Sequence, residues 1–490
     1  MNYQSTRSHM IQTDSAHAIL QGLAPDGGLY VLTDLSALKF DWQGALQQDY
    51  TGMAANIVSA LLPDFSREEA MTLVKAAYTG KFSTPALTPL TPVGEDAVLE
   101  LFHGPTSAFK DMALCLLPHL MKAAAVKCGD QKDVLILTAT SGDTGKAAME
   151  GFRDVPGVRI IVFYPKSGVS PVQEAQMLSQ QGDNVKVCAV EGNFDDAQTG
   201  VKRIFSHLSD QLHLSSANSI NIGRLVPQVV YYFSAYADML RLGRIALGDK
   251  LDYIVPTGNF GDILAGYIAG ELGLPVGKLV CASNVNNVLT DFFHTGCYDR
   301  RRPFHKSLSP SMDILVSSNL ERLLYFLSGD SALVSSLMAD LERQSYYQLP
   351  LALLEKAQAK FFAGYCDDAA TVETIAQVWQ QHHYLMDTHT AVAWNVAQQY
   401  KAQNPDHAPV VVLSTASPYK FPAAVMEALG LPSTGDQFQA MEDIQRSTGV
   451  PMPANLQGLR QRPRRHFDCV TPEGMENYVI EKAAEASWKK

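Results

Sequence analysis

The chain has 490 residues, 46% of them apolar and 18% charged, with a formal net charge of −11. That is enough chain for two or three domains with real cores, and it is too apolar for a disordered polymer. The acidic balance is spread along the chain and argues against a nucleic-acid or anionic-membrane partner; small molecules are the expected ones.

The basic clusters Arg300-Arg301-Arg302 and Arg460 to Arg465 carry no interleaved aromatics and read as solvated loop faces. Seven cysteines are scattered without a CxxC pair or a histidine at metal spacing, so neither a disulfide framework nor a metal site is expected. The opening residues lack the apolar core of a secretory signal, and no apolar run reaches membrane-spanning length. A cytoplasmic setting is expected.

In chain order, the first eighty or so residues predict a mixed, mainly helical unit. Pro25-Asp26-Gly27 carries tight-turn chemistry. Ser66 and Glu69 are spaced as a capping box, and Ala70, Leu73, Val74, Ala77 and Tyr78 form one apolar helical face that stops at Gly80. Pro85, Pro89 and Pro92 then predict an extended crossing.

From about residue 95 the pattern becomes alternating strands and helices. Residues 97–101, 134–137, 158–163, 185–190, 251–255 and 410–413 read as buried strands. A capping Ser170 with Pro171 and Gln173 opens one intervening helix, and another runs from about Asp195 to Leu208. Such alternation predicts parallel sheets covered by helices, an α/β architecture.

Three stretches carry chemistry. His103 to Asp111 is a loop that delivers Lys110 to an apolar pattern at Ala113, Leu116, Leu117, Leu120, Met121 and Ala124, predicting a helix that starts at the lysine. A lysine desolvated there would lose its proton and could attack a carbonyl to form an imine, whereas a lysine lying over a helix end at the surface would be inert. Thr138 to Gly145 and Pro256 to Asp262 are strand-to-helix turns bearing glycines, suited to an anion but equally common as plain turns. The first is not a Walker A loop, because Thr140 stands where its first glycine belongs and Ala147 follows Lys146; neither is a GxGxxG fingerprint.

These stretches, with Ser216 to Arg224, Ser311-Met312-Asp313 and Ser414 to Pro422, resemble in sequence and order the signature segments of the threonine synthase family. Tyr3 to Arg7 and Asp26 to Leu29 are similar to its opening, so the likeness runs to about residue 430. It implies a fold-type II pyridoxal-phosphate enzyme with large and small parallel-sheet α/β domains and a mainly helical N-terminal domain. The boundaries drawn are 1–95 for the N-terminal domain, 96–225 for the small domain with the cofactor lysine, and 226–490 for the large domain with the phosphate loop.

Carried over residue by residue, the resemblance makes Lys110 the catalytic lysine that links to pyridoxal 5'-phosphate. It assigns the cofactor phosphate to Gly258, Asn259, Phe260, Gly261 and Asp262, and sets Thr415 at the pyridine nitrogen. The substrate implied is O-phospho-L-homoserine, converted with water to L-threonine and phosphate. Arg224 is the expected ligand of its phosphate, helped by Asn218, Ser219 and Asn221, since guanidinium meets phosphate bidentately. Ser141, Asp143 and Thr144 would hold the α-carboxylate, with the Asp143 side chain turned to backbone N–H groups because a carboxylate repels an anion. Lys420 would add charge at the phosphate end or lie solvated at a helix start.

Ser417 departs from family members that carry His there, and a proton-transfer role at that position is not expected. His389, opening an apolar helical run, is expected to be structural. A phospholyase giving 2-oxobutyrate, a serine/threonine dehydratase and a silent cofactor-binding protein are the competing readings. Monomer and homodimer are both compatible with the sequence.

Overall fold

The computed structural model describes residues 2–130, 133–140, 142–167, 169–209 and 211–485. The N-terminal unit is a three-stranded antiparallel sheet, with strand Tyr3–Ser5 between Ser8–Thr13 and Tyr30–Leu32, packed with helices that include Ser15–Gln21, Tyr50–Leu61 and Arg67–Tyr78. Ser66 caps the last of these, accepting from the N–H of Glu69 at 3.2 Å. The opening residues clamp this unit to the rest of the chain. Arg7 makes two 2.9 Å bonds to the buried carboxylate of Glu321, and Thr6 donates to the same group.

Two sheets form the centre. The larger has six strands in the order Phe361–Tyr365, Val276–Ser283, Leu251–Pro256, Val410–Ser414, Asp96–Glu100, Leu90–Val93. All neighbours are parallel except the hairpin pair at the Leu90–Val93 edge. Strands Leu251–Pro256 and Val410–Ser414 are buried throughout, as mainly apolar strands of a sheet covered on both faces are; the one buried carboxylate, Asp252, accepts from the Tyr400 hydroxyl and the Lys278 N–H. The smaller sheet is all parallel, in the order Asp468–Val470, Val185–Val190, Val158–Pro165, Val134–Ala139, Leu214–Ser215.

The sheets are not contiguous in sequence. Strand Asp96–Glu100, drawn with the small domain, pairs with Val411–Ser414 in the larger sheet, and Asp468–Val470 returns from the far end of the chain to extend the smaller one. The segment Leu90–Val93, expected as an extended crossing, is the edge strand of the larger sheet.

The helix expected to run unbroken from Lys110 to Ala124 is two helices, Lys110–Leu114 and Leu117–Lys127. Pro118 is the cause: it has no N–H to offer the carbonyl of Leu114, four residues earlier, and its ring crowds that oxygen. The freed carbonyl faces Gly151 of helix Asp143–Phe152 so closely that a Cβ on Gly151 would lie 2.0 Å from it. The lysine helix is therefore seated directly on the backbone of a helix of the smaller sheet. Gly151→Ala should cost about 1–3 kcal/mol through overpacking, read as a lower midpoint in urea denaturation; an unchanged midpoint would mean that the helices are not held at this separation.

Candidate active site

Strands Asp96–Glu100, Val410–Ser414 and Leu251–Pro256 are neighbours in the larger sheet, and the loops leaving their carboxyl ends converge where α/β folds place ligands. The loop that carries Lys110 is closed by Asp111, which accepts from the N–H of Thr106 at 2.8 Å and its hydroxyl at 2.6 Å. Burial raises the Asp111 carboxyl to about 6. The loop is zipped to the turn after Val410–Ser414: Phe109 donates to the carbonyl of Thr415 at 2.8 Å, and Ser417 to that of Ser107 at 3.1 Å. From the C-terminal tail, Asn455 braces it further, accepting from the Ser107 hydroxyl at 2.9 Å and donating to the Pro105 carbonyl at 2.9 Å.

Lys110 keeps part of its surface open while the protein around it desolvates the amine. Burial pushes its pKa down to about 8, and the charges of Lys420 and Arg224 push the same way against the pull of Asp143. Its Nζ donates to Ser311 Oγ at 3.4 Å and lies 4.9 Å from the centre of the Phe109 ring.

Pro256 to Asp262 turns from strand to helix Gly261–Glu271 through Phe260, which adopts a left-handed conformation at φ 64°. A Cβ on Gly258 would meet the Ser311 carbonyl oxygen at 2.6 Å, so only glycine fits. The Asn259 carbonyl accepts from Asn319 Nδ2 at 3.0 Å, and the Gly258 carbonyl from Ser317 Oγ at 2.7 Å; with the carbonyls held, the first-turn N–H groups of the helix are left for an anion. Asp262 is buried, with Tyr231 and Tyr232 donating to its Oδ1 at 2.5 and 3.2 Å and with Oδ2 unpartnered. Burial raises its carboxyl to about 6, which reduces its repulsion of a neighbouring anion.

Arg224 sits buried in the first turn of helix Ile222–Arg241. Its Nη1 donates to the Ala217 carbonyl at 2.9 Å, its Nε is unpartnered, and no carboxylate pairs with it among the described residues. Burial lowers its pKa to about 10. Lys420 is buried, not solvated: its Nζ lies 2.7 Å from Asp143 Oδ1 and donates to the Thr106 carbonyl at 3.1 Å. Asp143 therefore has Lys420 and Gln173 as described partners in place of the expected backbone cap. Burial opposes its charged form, but Lys420 and Lys110 prevail and hold the carboxyl well below its ordinary range. The group of Lys110, Arg224, Lys420 and Asp143 carries more positive than negative charge, as a site for anions should.

The other expected residues are placed less alike. Thr415 is buried at the lysine loop, and Thr144 lies in the first turn of helix Asp143–Phe152. Ser219 is half-buried and Asn218 exposed. The Asn221 amide is committed to backbone: Nδ2 donates to Ile19 at 2.9 Å, and Oδ1 accepts from Gly223 at 2.9 Å. Ser141 lies outside the described residues.

Sequence reasoning gave no role to Ser311, Asn319 or Arg322. Asn319 Nδ2 bridges the carbonyls of Ser219 and Asn259, and the fully buried Arg322 donates to those of Ile220 and Tyr30. Ser311 stands in a segment the resemblance had marked; the other two carry no local signal.

Family models match along nearly the whole chain: "Threonine synthase N terminus" over residues 2–78, "Pyridoxal-phosphate dependent enzyme" over 88–416 and "Threonine synthase, C-terminal" over 390–479. The chain belongs to the threonine synthase family. Threonine synthase of Pseudomonas aeruginosa is 40% identical over 439 residues, 87% of this chain and 90% of that protein. Human threonine synthase-like 1 is 39% identical over 435 residues; the match spans 84% of this chain but 58% of that longer protein.

The crystal structure of PLP-bound threonine synthase from Brucella melitensis superposes with a TM-score of 0.88 at 37% identity, covering 99% of this chain and 100% of that one. The yeast threonine synthase structure gives 0.89 at 32%, covering 99% of both. The chain is thus a pyridoxal-phosphate-dependent enzyme of fold type II, and the features at hand fit the cofactor: a desolvated lysine, a glycine cradle that a Cβ would fill, and a helix N-terminus. No helix among the described residues is long and apolar enough to cross a membrane. Away from this site, one trio of potential metal ligands among the described residues, Asp14, His17 and Cys128, has its ligand atoms within 4.8 Å of one another, with Asp14 already capping a helix and bonded to His17.

Because only the neutral amine attacks an aldehyde, any linkage of pyridoxal phosphate to Lys110 should form at a rate that rises with pH around a midpoint near 8. A rate still climbing steeply toward the ordinary lysine range would contradict the desolvation. Stopped-flow absorbance between pH 6 and 10 reads this directly, with roughly a tenfold gain expected for each unit below the midpoint.

Proposed function

We propose that the protein converts O-phospho-L-homoserine and water to L-threonine and phosphate. The observation that carries this reading is Arg224: a buried guanidinium with an unpartnered Nε and, among the described residues, no carboxylate opposite it, close enough to the catalytic lysine to depress its pKa. A buried cation is stable only with an anion, and a phosphorylated substrate supplies one.

Pyridoxal phosphate, when bound, supplies the aldehyde that lysine joins and a conjugated ring that accepts the electron pair left as the substrate loses protons. The N–H groups of Gly258 to Gly261 would hold its phosphate at the helix start, with Asp262 behind them, and Thr415 would face the ring nitrogen without imposing the full charge a carboxylate would. Lys110, displaced from its linkage by substrate, is the base: its amine takes the α-proton and returns it later in the sequence. Arg224 grips the substrate phosphate through its departure from the γ-carbon, with Ser219 and Asn218 at the rim. Asn221 contributes by fixing the start of the arginine helix. Thr144 and the backbone of the turn before it would take the α-carboxylate, while Lys420 neutralises Asp143 so that the turn does not repel that anion. Water must be excluded until phosphate has left, then admitted to the β-carbon.

Adding O-phospho-L-homoserine to the purified protein with pyridoxal phosphate and measuring both products tests the proposal. Phosphate and threonine in equal amounts are expected. Phosphate with 2-oxobutyrate would leave the anion pocket in place and change the outcome of the last step; no phosphate at all would overturn the substrate. Lys110→Ala should abolish turnover in a folded protein. Arg224→Gln, losing a charge-assisted pair worth about 1.5–3 kcal/mol, should raise KM for the phosphorylated substrate roughly 10–100-fold.

A further inference from the structure

Ser311 is the point at which three parts of the site meet. Its hydroxyl accepts from Lys110 Nζ at 3.4 Å. Its carbonyl is packed so tightly on Gly258 that no side chain fits between them. Its N–H donates to Nε2 of His389 at 3.1 Å. The first two contacts tie the catalytic lysine to the phosphate loop, and the third brings in a histidine from the opening turn of helix Thr388–Gln403, 78 residues away.

That histidine is set in a fixed state. Nε2 must be bare to accept from Ser311, which puts the ring proton on Nδ1, where the carboxylate of Asp387 takes it at 2.9 Å. Asp387 is fully buried and accepts from the N–H of His389 at 2.8 Å and from the Thr390 hydroxyl, so it cannot turn away. The ring is held from the side by Phe421, with centroids 4.8 Å apart. A helix cap alone needs Asp387 and nothing more. A carboxylate that sets the tautomer of a buried histidine, whose free nitrogen then holds the peptide touching the reactive amine, is a positioning device.

We propose that Asp387 and His389 are positioning residues that act through Ser311 to hold the amine of Lys110 at its working distance from the phosphate loop. Ser311 touches the reacting nitrogen; His389 and Asp387 reach it only through the Ser311 peptide. The proposal rests on Lys110 being the cofactor lysine.

The test uses the full-length apoprotein with pyridoxal phosphate as the probe, reading the rate and extent of the lysine linkage from its visible absorbance and by borohydride trapping. Ser311→Ala and His389→Ala should each slow linkage by about tenfold, the scale of one lost hydrogen bond. His389→Gln, whose amide oxygen can still accept from Ser311, should stay within about threefold of the unaltered protein. In the double variant Ser311→Ala/His389→Ala the effects should not multiply, since one residue acts through the other. Multiplied effects, or an unaltered linkage rate in His389→Ala, would overturn the relay. So would His389→Gln as slow as His389→Ala at an unchanged melting temperature. A separate control keeps the two readings apart: linkage persisting in Lys110→Ala would defeat the lysine assignment itself, whatever the serine and histidine variants do.

Discussion

The buried ion pair between Asp143 and Lys420 is the contact on which the site's arrangement depends. Asp143 opens a helix of the smaller sheet, Lys420 follows a strand of the larger one, and the same ammonium donates to Thr106 in the lysine loop. Three segments distant in sequence are joined at one nitrogen. A buried pair of this kind adds little net stability, because desolvating both ions offsets most of their attraction. Its effect is on geometry and charge. Burial lowers the pKa of both Lys110 and Arg224, and the charges of Lys420 and Arg224 lower that of Lys110 further against the pull of Asp143.

Around this pair the rest of the structure acts as bracing. Arg322 and Asn319 tie the Arg224 segment to the turn at Gly258 to Asp262, Asn455 ties the tail to the Lys110 loop, and the grip of Thr6 and Arg7 on Glu321 fixes the N-terminal unit beside Arg322. The segments around the site are held mostly through backbone atoms: the Gly258 carbonyl accepts from the Ser317 hydroxyl and Gly258 packs on the Ser311 carbonyl, Phe109 N–H donates to the Thr415 carbonyl, and the Asn221 side chain donates to the Ile19 carbonyl.

Much of this was legible in the residues, and the failures share a cause. Strand positions and the capped helices at Arg67 and Pro171 followed from local pattern because their determinants lie within a few residues of each other. The lysine and the glycine loops needed the family's order of segments, since each alone is an ordinary turn. What went unread is what only tertiary structure brings together. The break at residues 115–116 turns on Pro118, which was in plain view but was outweighed by apolar periodicity. The hydrogen-bonded ring expected at His389 is present, but its partner Ser311 went unread because it belongs to a turn 78 residues earlier. The tail after residue 430 showed no motif because what it brings is packing, in helices Gln437–Thr448 and Met475–Ala484, together with a three-residue edge strand and the Asn455 brace.

The order of strands in the larger sheet has a consequence for how the chain is made. Val410–Ser414 lies between Leu251–Pro256 and Asp96–Glu100, so the hairpin of residues 90–100 has no partner on its inner edge until more than three hundred further residues have left the ribosome. During that interval it presents a bare, apolar strand edge, the kind of surface that recruits other nascent chains. The segment that finally covers it also brings the turn against which the lysine loop is zipped. Completion of the sheet and closure of the Lys110 loop are therefore one late event in biogenesis.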